Sequence, residues 1–289
     1  EWIHKWIKAK PPLMESLLAG TNPNFESFKY RPKTYSLWKN GKLRKYNFIG
    51  LLPTFNDDKF VNSTWFDFLD RLVTPELKER IHYNTPVNKI EYGDANSSDE
   101  VVVSTTSGKE YRADKVLITV PIKILQKDYI KFEPALPEEK IKAIHKEKMP
   151  DGLKVFIEFS ERFYPDIVLM NSILYNLRGG DYAYYDATLG KDTSKNVLGL
   201  FVDGEKATRY TSLENDDAVI EYVLDELDRI FDGQATQYYI KHIVQNWSKE
   251  PFIQGTYSHR KSSVKTLSAP VANKIYFAGE AMNLNGKTI

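Results

Sequence analysis

Residues Lys274 to Thr288 hold the pattern with the most chemical meaning. A short apolar run, Ile275 to Ala278, ends in Gly279 and then Glu280. In open α/β sheets, ligands sit outside the carboxyl ends of strands. A glycine at that point lets a cofactor come close to the backbone. The acid after it can accept hydrogen bonds from sugar-like hydroxyls. The same residues also read as a buried strand that leaves through a glycine turn with a solvated acid. Other chemistries find less support. The histidines His4, His82, His145, His242 and His259 show no metal-ligand spacing. No nucleophile-elbow sequence supports a Ser-His-Asp arrangement. Asp216-Asp217 and Glu138-Glu139 read as first-turn acids of helices.

The composition bounds these readings. The chain of 289 residues is 42% hydrophobic and 27% charged, which is globular, and it is long enough for one large domain or two ordinary ones. Its 18 Tyr, 15 Phe and 5 Trp suit an apolar cavity with polar handles, and equally an aromatic core. There is no cysteine, so disulfides, thiolate zinc ligands, a thiol nucleophile and a cysteinyl cofactor bond are excluded. A cysteine-free chain suits either redox environment and leaves the compartment open. The net charge of +1 gives no global field for nucleic acid. Residues 1–50 are nonetheless basic, with ten Lys/Arg against Glu1, Glu15 and Glu26. They read as a solvated face or a surface for an acidic partner. No signal-peptide pattern is visible, and no apolar run approaches the roughly 18 residues of a membrane span.

Several elements must position the tail. Residues 1–75 are expected to be mostly helical. Trp2, Ile3, Trp6 and Ile7 recur at helical spacing, and Ser63/Thr64 can cap a helix carrying Trp65, Phe66, Phe68, Leu69 and Leu72. Asn40-Gly41 predicts a hairpin between Thr34–Lys39 and Lys42–Phe48. Short strands are expected at 81–83, 87–92 and 101–105, with a return through Tyr111, forming an antiparallel meander. Residues 116–120 read as a continuous apolar strand, buried on both faces and ended by Pro121. A helix over 136–150 and strands over 154–159, 172–177 and 197–202 follow. Val219, Tyr222, Val223, Leu227 and Ile230 predict an amphipathic helix over 214–231, closed near Gly233. A strand at 238–244 leads to Trp247. The order predicts a mixed α+β or α/β chain of two interleaved domains.

Four segments resemble the flavin-dependent amine oxidase family, which includes monoamine and polyamine oxidases and the related histone demethylases. They are Ile81-His82-Tyr83-Asn84-Thr85-Pro86-Val87-Asn88-Lys89-Ile90; Ala113 to Pro121 running into Phe132-Glu133-Pro134-Ala135-Leu136-Pro137; Gly152 to Phe159; and Trp247 to Ser258, followed by Tyr276-Phe277-Ala278-Gly279-Glu280. The resemblance covers roughly residues 60–289. It implies an FAD-binding, glutathione-reductase-like part in pieces and a mixed-sheet substrate domain with helices. The division it implies is 1–75, a helical part of the substrate domain; 76–127, a meander and strand of the FAD domain; 128–262, the substrate domain; and 263–289, the last FAD-domain strand.

The resemblance also implies roles. Lys154 matches a lysine that sits over the flavin and holds a water near its reactive nitrogen; burial beside a cofactor lowers such a lysine's pKa. Tyr257 matches an aromatic that faces the flavin across the substrate amine, and Trp247 opens the same segment and lines that cavity. Aromatic faces suit an arriving cation. Val87, Pro121, Trp247, Gly279 and Glu280 are implied on the cofactor side, with Val87 toward the adenine and Glu280 near the ribityl–pyrophosphate region. Thr256 stands where monoamine oxidases carry a flavin-linked cysteine, so the implied FAD is non-covalent. From the residues alone, Lys154 also reads as a strand-end lysine in solvent, and Trp247, Tyr257 and Val87 as core side chains.

The implied reaction is oxidation of a small-molecule amine by FAD and oxygen, with an imine hydrolysed by water and hydrogen peroxide formed. No Gly-x-Gly-x-x-Gly turn is present, and the family's helix after the Gly-Glu strand has no counterpart. The chain is therefore expected to be the middle and late part of such an enzyme, completed by missing segments or a partner chain. Two alternatives stay open. One is a related flavin desaturase or oxidase. The other is a binding or scaffold protein that kept the fold without the cofactor.

Overall fold

The computed structural model describes residues 27–29, 34–46, 58–60, 70, 75–93, 100–170, 182–258 and 264–282. In chain order the strands are β1 (Ser27–Lys29), β2 (Tyr35–Lys39), β3 (Lys42–Tyr46), β4 (Asp58–Phe60), β5 (Val87–Glu91), β6 (Val101–Thr105), β7 (Glu110–Ala113), β8 (Val116–Ile118) and β9 (Lys131–Glu133). They continue as β10 (Gly152–Phe159), β11 (Ile167–Met170), β12 (Tyr182–Asp186), β13 (Asn196–Asp203), β14 (Tyr239–Asn246) and β15 (Ile275–Phe277). Four helices matter for the site: α1 (Ile122–Gln126), α2 (Glu138–Lys146), α3 (Asp216–Phe231) and α4 (Val264–Ser268).

One large sheet has the order β14-β10-β13-β12-β11-β2-β3. The eight residues of β10 alternate buried and half-buried, as a strand between two neighbours does when only one face is sealed. The sealed face presents Leu153, Val155, Ile157 and Phe159 to Val219, Val223, Leu227 and Ile230 of α3. That helix starts as its sequence requires. Asn215 caps it by accepting the Ala218 N–H, and Asp216 and Asp217 sit in the first turn. It ends with Asp232 and Gly233 in left-handed conformations.

A second region gathers the remaining strands. β7-β6-β5-β9 form a four-stranded sheet, and β8 pairs in parallel with β15. α1, α2 and α4 pack on them around Ile90, Val101, Ile118, Ile122, Leu267 and Ile275. The architecture is α+β, with mixed sheets and helices.

The hairpin forms as the sequence requires: Asn40 and Gly41 take positive φ of 52° and 70°, which fits a two-residue turn. It adds β2 in parallel to β11. Within 1–75 the described residues are therefore mainly strand, not helix, with the short helix Pro75–Lys78 at the boundary. Both expected helices in that stretch, at 2–7 and 63–72, lie outside the described residues apart from helical Asp70.

Other expectations are corrected. Residues 81–83 form no strand. The N–H groups of Arg80 and Ile81 donate to Leu77 and Lys78, Asn84 has φ of 52°, and Tyr83 is 77% exposed, so the backbone turns locally instead of laddering. The strand at 116–120 shortens to Val116–Ile118, and Leu117 is 50% exposed, because its single described neighbour is β15. The helix at 136–150 stops at Lys146, where Glu147 turns extended ahead of Pro150. The strand at 172–177 lies outside the described residues. The sequence reading missed β9, β11 and β12, although Ile167-Val168-Leu169-Met170, buried throughout, has the plain signal of a central strand.

Candidate functional site

The half-buried face of β10 carries Lys154. Cross-strand register sets Lys154 beside Phe201 of β13 and Gln245 of β14. Its ammonium lies 5.0 Å from the centre of the Phe201 ring. The Phe201 ring in turn lies 6.3 Å from the Tyr257 ring, tilted by 53°. Three side chains from three parts of the chain thus share one patch of the sheet. A cation above an aromatic face is favourable, more so where water is partly excluded. Phe201 was missed in the sequence. Its signal was alternation along Val197-Leu198-Gly199-Leu200-Phe201, which puts 197, 199 and 201 opposite the core positions 198 and 200.

The segment from Trp247 to Ser258 is docked on the start of β10. The Gly255 N–H donates to the Trp247 carbonyl at 3.2 Å, closing the segment on itself. The Thr256 N–H and Oγ1 both donate to the Pro150 carbonyl, at 3.0 and 3.1 Å. Gly152 N–H donates to Ser248 Oγ at 3.0 Å. A Cβ at Gly152 would lie 2.1 Å from Thr256 Cγ2, so only glycine lets the segment sit this close. These contacts fix Tyr257 over Phe201.

The next residue links the site to the tail. Glu280 accepts from the Ser258 N–H at 2.9 Å and from Ser258 Oγ at 3.1 Å, one bond to each carboxylate oxygen. Glu280 follows Gly279, whose φ of 116° is open to glycine and strained for other residues. The strand ends meet here: Ala278 N–H donates to the Ile118 carbonyl, and a Cβ on Gly279 would meet the Thr119 carbonyl at 3.5 Å. Pro121 is close in the chain to Thr119 and opens α1. The carboxyl ends of two parallel strands, Gly279, Glu280 and Pro121 are therefore gathered at one edge, and Ser258 ties that edge to Tyr257.

The expected residues divide accordingly. Lys154 and Tyr257 meet through Phe201, while Gly279, Glu280 and Pro121 meet at the strand edge. Trp247 contributes its carbonyl to the turn that holds Tyr257. Val87 stands apart at the start of β5, half-buried against the second core. Arg178, Arg209 and Arg260 could each anchor a substrate carboxylate; Arg209 lies 5.3 and 5.6 Å from the Tyr182 and Tyr210 rings, away from the Lys154 face. Arg178 and Arg260 lie outside the described residues. A cleft of about 350 Å³ between β9 and α2, lined by Leu125, Phe132 and Ile144, shares no residue with this site.

The family profile for flavin containing amine oxidoreductases matches residues 63–288. The chain belongs to this family. Two members similar in sequence are a mouse (Mus musculus) lysine-specific histone demethylase 1B, 32% identical over 216 residues, and a maize (Zea mays) polyamine oxidase, 29% identical over 207 residues. Each match covers 70% of this chain, but only 25% of the demethylase and 40% of the polyamine oxidase. The chain thus spans between a quarter and two fifths of the length of these amine oxidase relatives. A putrescine oxidase structure superposes with a TM-score of 0.71 at 13% identity, covering 96% of this chain and 82% of that one. A cyclohexylamine oxidase from Brevibacterium oxydans superposes at 0.58 and 20% identity, covering 75% of this chain and 46% of that one. At these identities the structures share the amine oxidase fold.

Proposed function

We propose that this chain carries the substrate face and part of the cofactor edge of an FAD-dependent amine oxidase. The observation behind this is the continuous link from Lys154 through Phe201, Tyr257 and Ser258 to Glu280 at the edge formed by β8 and β15. Bound flavin supplies the electron acceptor: a hydride leaves the amine carbon, water hydrolyses the resulting imine, and oxygen takes up the electrons as hydrogen peroxide.

The residues fit that group. The strand edge at Gly279 carries no side chain, and the cross-strand Thr119 is exposed, so a flat or phosphate-bearing ligand can approach the backbone. Gly279, Glu280 and Pro121 are the near residues on this reading, and Val87 lies toward the adenine. Thr256, held to Pro150, stands where a cysteinyl flavin bond would need a cysteine, and on this reading the flavin is bound non-covalently. Lys154 holds a water and moves protons beside the reacting amine. Tyr257 and Phe201 shield the amine from bulk water, which favours the neutral nitrogen that hydride loss needs. Trp247 holds the Tyr257 segment and lines the cavity. Glu280 orients Tyr257 through Ser258.

The same reading divides the chain as 76–127 and 263–289 on the flavin side and 128–262 on the substrate side, with 1–75 joined to the substrate side. It also takes these residues as one part of a longer enzyme. In parallel sheets helices cover both faces, and the half-exposed Leu117 marks a face of β8 that a further packed element would cover.

The test is a visible absorption spectrum of the full-length gene product after incubation with FAD and desalting. Retained flavin, bleached by an amine under anaerobic conditions and released on acid denaturation, is the expected result. A full-length protein that retains no flavin, or whose flavin no amine bleaches, overturns the reading.

A further inference from the structure

The face of the sheet that carries Lys154 is laid out in three rows of different chemistry. The first holds Gln245, Lys154, Phe201 and Ala183, in register across β14, β10, β13 and β12. The second holds Ile243, Phe156, Gly199 and Tyr185. The third holds Lys241, Glu158 and Val197. Successive rows are two residues apart on each strand, so they are about 7 Å apart, and the first and third are about 13 Å apart.

The second row is apolar. Gly199 has no need of its freedom in φ, since it lies in the middle of β13. A glycine there weakens a strand and calls for a reason of space. The reason is Tyr185. A Cβ on Gly199 would lie 2.6 Å from Tyr185 Cζ and 2.9 Å from Cε1 and the hydroxyl oxygen. The phenol ring therefore lies across the glycine, in the room a side chain would fill. It meets Phe156 edge-on, with ring centres 6.4 Å apart and planes at 87°. Ile243, 67% exposed, extends the apolar row toward the edge of the sheet.

The third row is charged, and its acid is already engaged. Glu158 is 3.3 Å from the Lys195 ammonium and 3.4 Å from that of Lys241. Lys195 joins this row from the residue before β13, so two lysines stand against one acid, and a second ammonium on a substrate would have to displace a lysine to reach it.

Resting on the reading above, we infer that Tyr185, laid over Gly199 against Phe156, is a specificity-determining residue that receives the apolar body of a primary monoamine. The amine nitrogen reacts at the first row, the hydrocarbon lies on the second, and the lysines of the third row disfavour a distal ammonium. Diamines and polyamines are then the poorer substrates.

The experiment compares 2-phenylethylamine with spermidine on the full-length, flavin-loaded enzyme. Wild type is expected to favour 2-phenylethylamine in kcat/KM by about tenfold or more, the scale of one well-placed aromatic contact. Tyr185→Ala is expected to raise KM for 2-phenylethylamine about tenfold while kcat changes less than about threefold, because the lost contact holds the body and not the reacting nitrogen. Lys241→Glu, at an exposed position on β14, is expected to raise kcat/KM for spermidine about threefold or more by reversing one charge in the third row. Wild type preferring spermidine overturns the inference, as does an unchanged substrate ratio in both variants. If the flavin is bleached by amines but the ratios go the wrong way, the specificity inference alone falls. If no amine bleaches it, the amine oxidase reading falls and takes this inference with it.

Discussion

In the large sheet, the Glu226 carboxylate accepts hydrogen bonds from Tyr182, Tyr184 and Tyr210 at 2.7, 2.6 and 3.0 Å. In the second region, the Lys140 ammonium donates to the carbonyls of Thr266, Leu267 and Ala269 at 3.0, 2.8 and 2.6 Å and lies 4.0 Å from the Phe277 ring. Each region holds a buried charged group with three hydrogen-bond partners, but the surroundings differ. Around Glu226, β10, β12, β13 and α3 seal a continuous core. Around Lys140, the parallel pair β8 and β15 leaves Leu117 half exposed. The large sheet seals the face that carries Glu226, whereas β8 leaves an apolar side chain half in solvent. The candidate site lies where the two regions meet, through Ser258 and Glu280.

Three substitutions sharpen or break this contrast. Glu226→Ala removes the shared acceptor of three buried hydroxyls and should destabilise the large sheet by about 3–5 kcal/mol. Urea unfolding followed by far-UV circular dichroism measures it; a loss below about 1 kcal/mol would mean that the tyrosines find other partners.

Lys140 reports on the second region through pH. Burial pushes its pKa down from 10.5 to about 8, partly offset by the neighbouring Glu139. Between about pH 8 and 10.5 the unfolded state therefore holds the extra proton, so stability rises with pH across that window. The rise amounts to about 3 kcal/mol and is complete near the unfolded pKa. Wild type minus Lys140→Met isolates it from other titrations. A flat difference across the window would mean that the three carbonyls keep the ammonium charged.

The smallest expected effect is at Leu117. Replacing it with Lys should change the stability of this 289-residue chain by less than about 0.5 kcal/mol, as for an exposed site. In the full-length protein the same change should cost several times more, because a charge would enter a covered sheet face. Equal, small effects in both would show that nothing covers β8.

Most of the large sheet and both strands of the β8–β15 pair were legible in the sequence, but their parallel pairing was not. Alternation in β10 and β13, the apolar stripe and acidic first turn of α3, and the Asn40-Gly41 turn are local signals, and local signals survive in sequence. The three-residue β8–β15 pair depends on a partner roughly 160 positions away in the chain, and no window of residues reports that. β9 was hidden for a related reason, being three residues long and joined in parallel to β5, whereas β11 carried a local apolar signal that was overlooked. At the site, Gly279-Glu280 stood out as a strand–glycine–acid edge. The bond from Glu280 to Ser258 was invisible, since both residues look like ordinary polar positions. Phe201 was hidden among similar apolar residues and acquires meaning from its cross-strand neighbour Lys154. Tyr257 and Lys154 were reached through family resemblance, and their contact through Phe201 is a product of register.

On the proposed reading, Lys154 acts on an amine beside the flavin. The direct measurement is the anaerobic rate of flavin reduction by a substrate amine in full-length wild type and Lys154→Met. The expected result is a fall of about a hundredfold or more, the scale of losing a positioned proton-transfer group, with flavin still bound. A reduction rate within about threefold of wild type would contradict the account, since an effect that small on the chemical step leaves Lys154 no catalytic role.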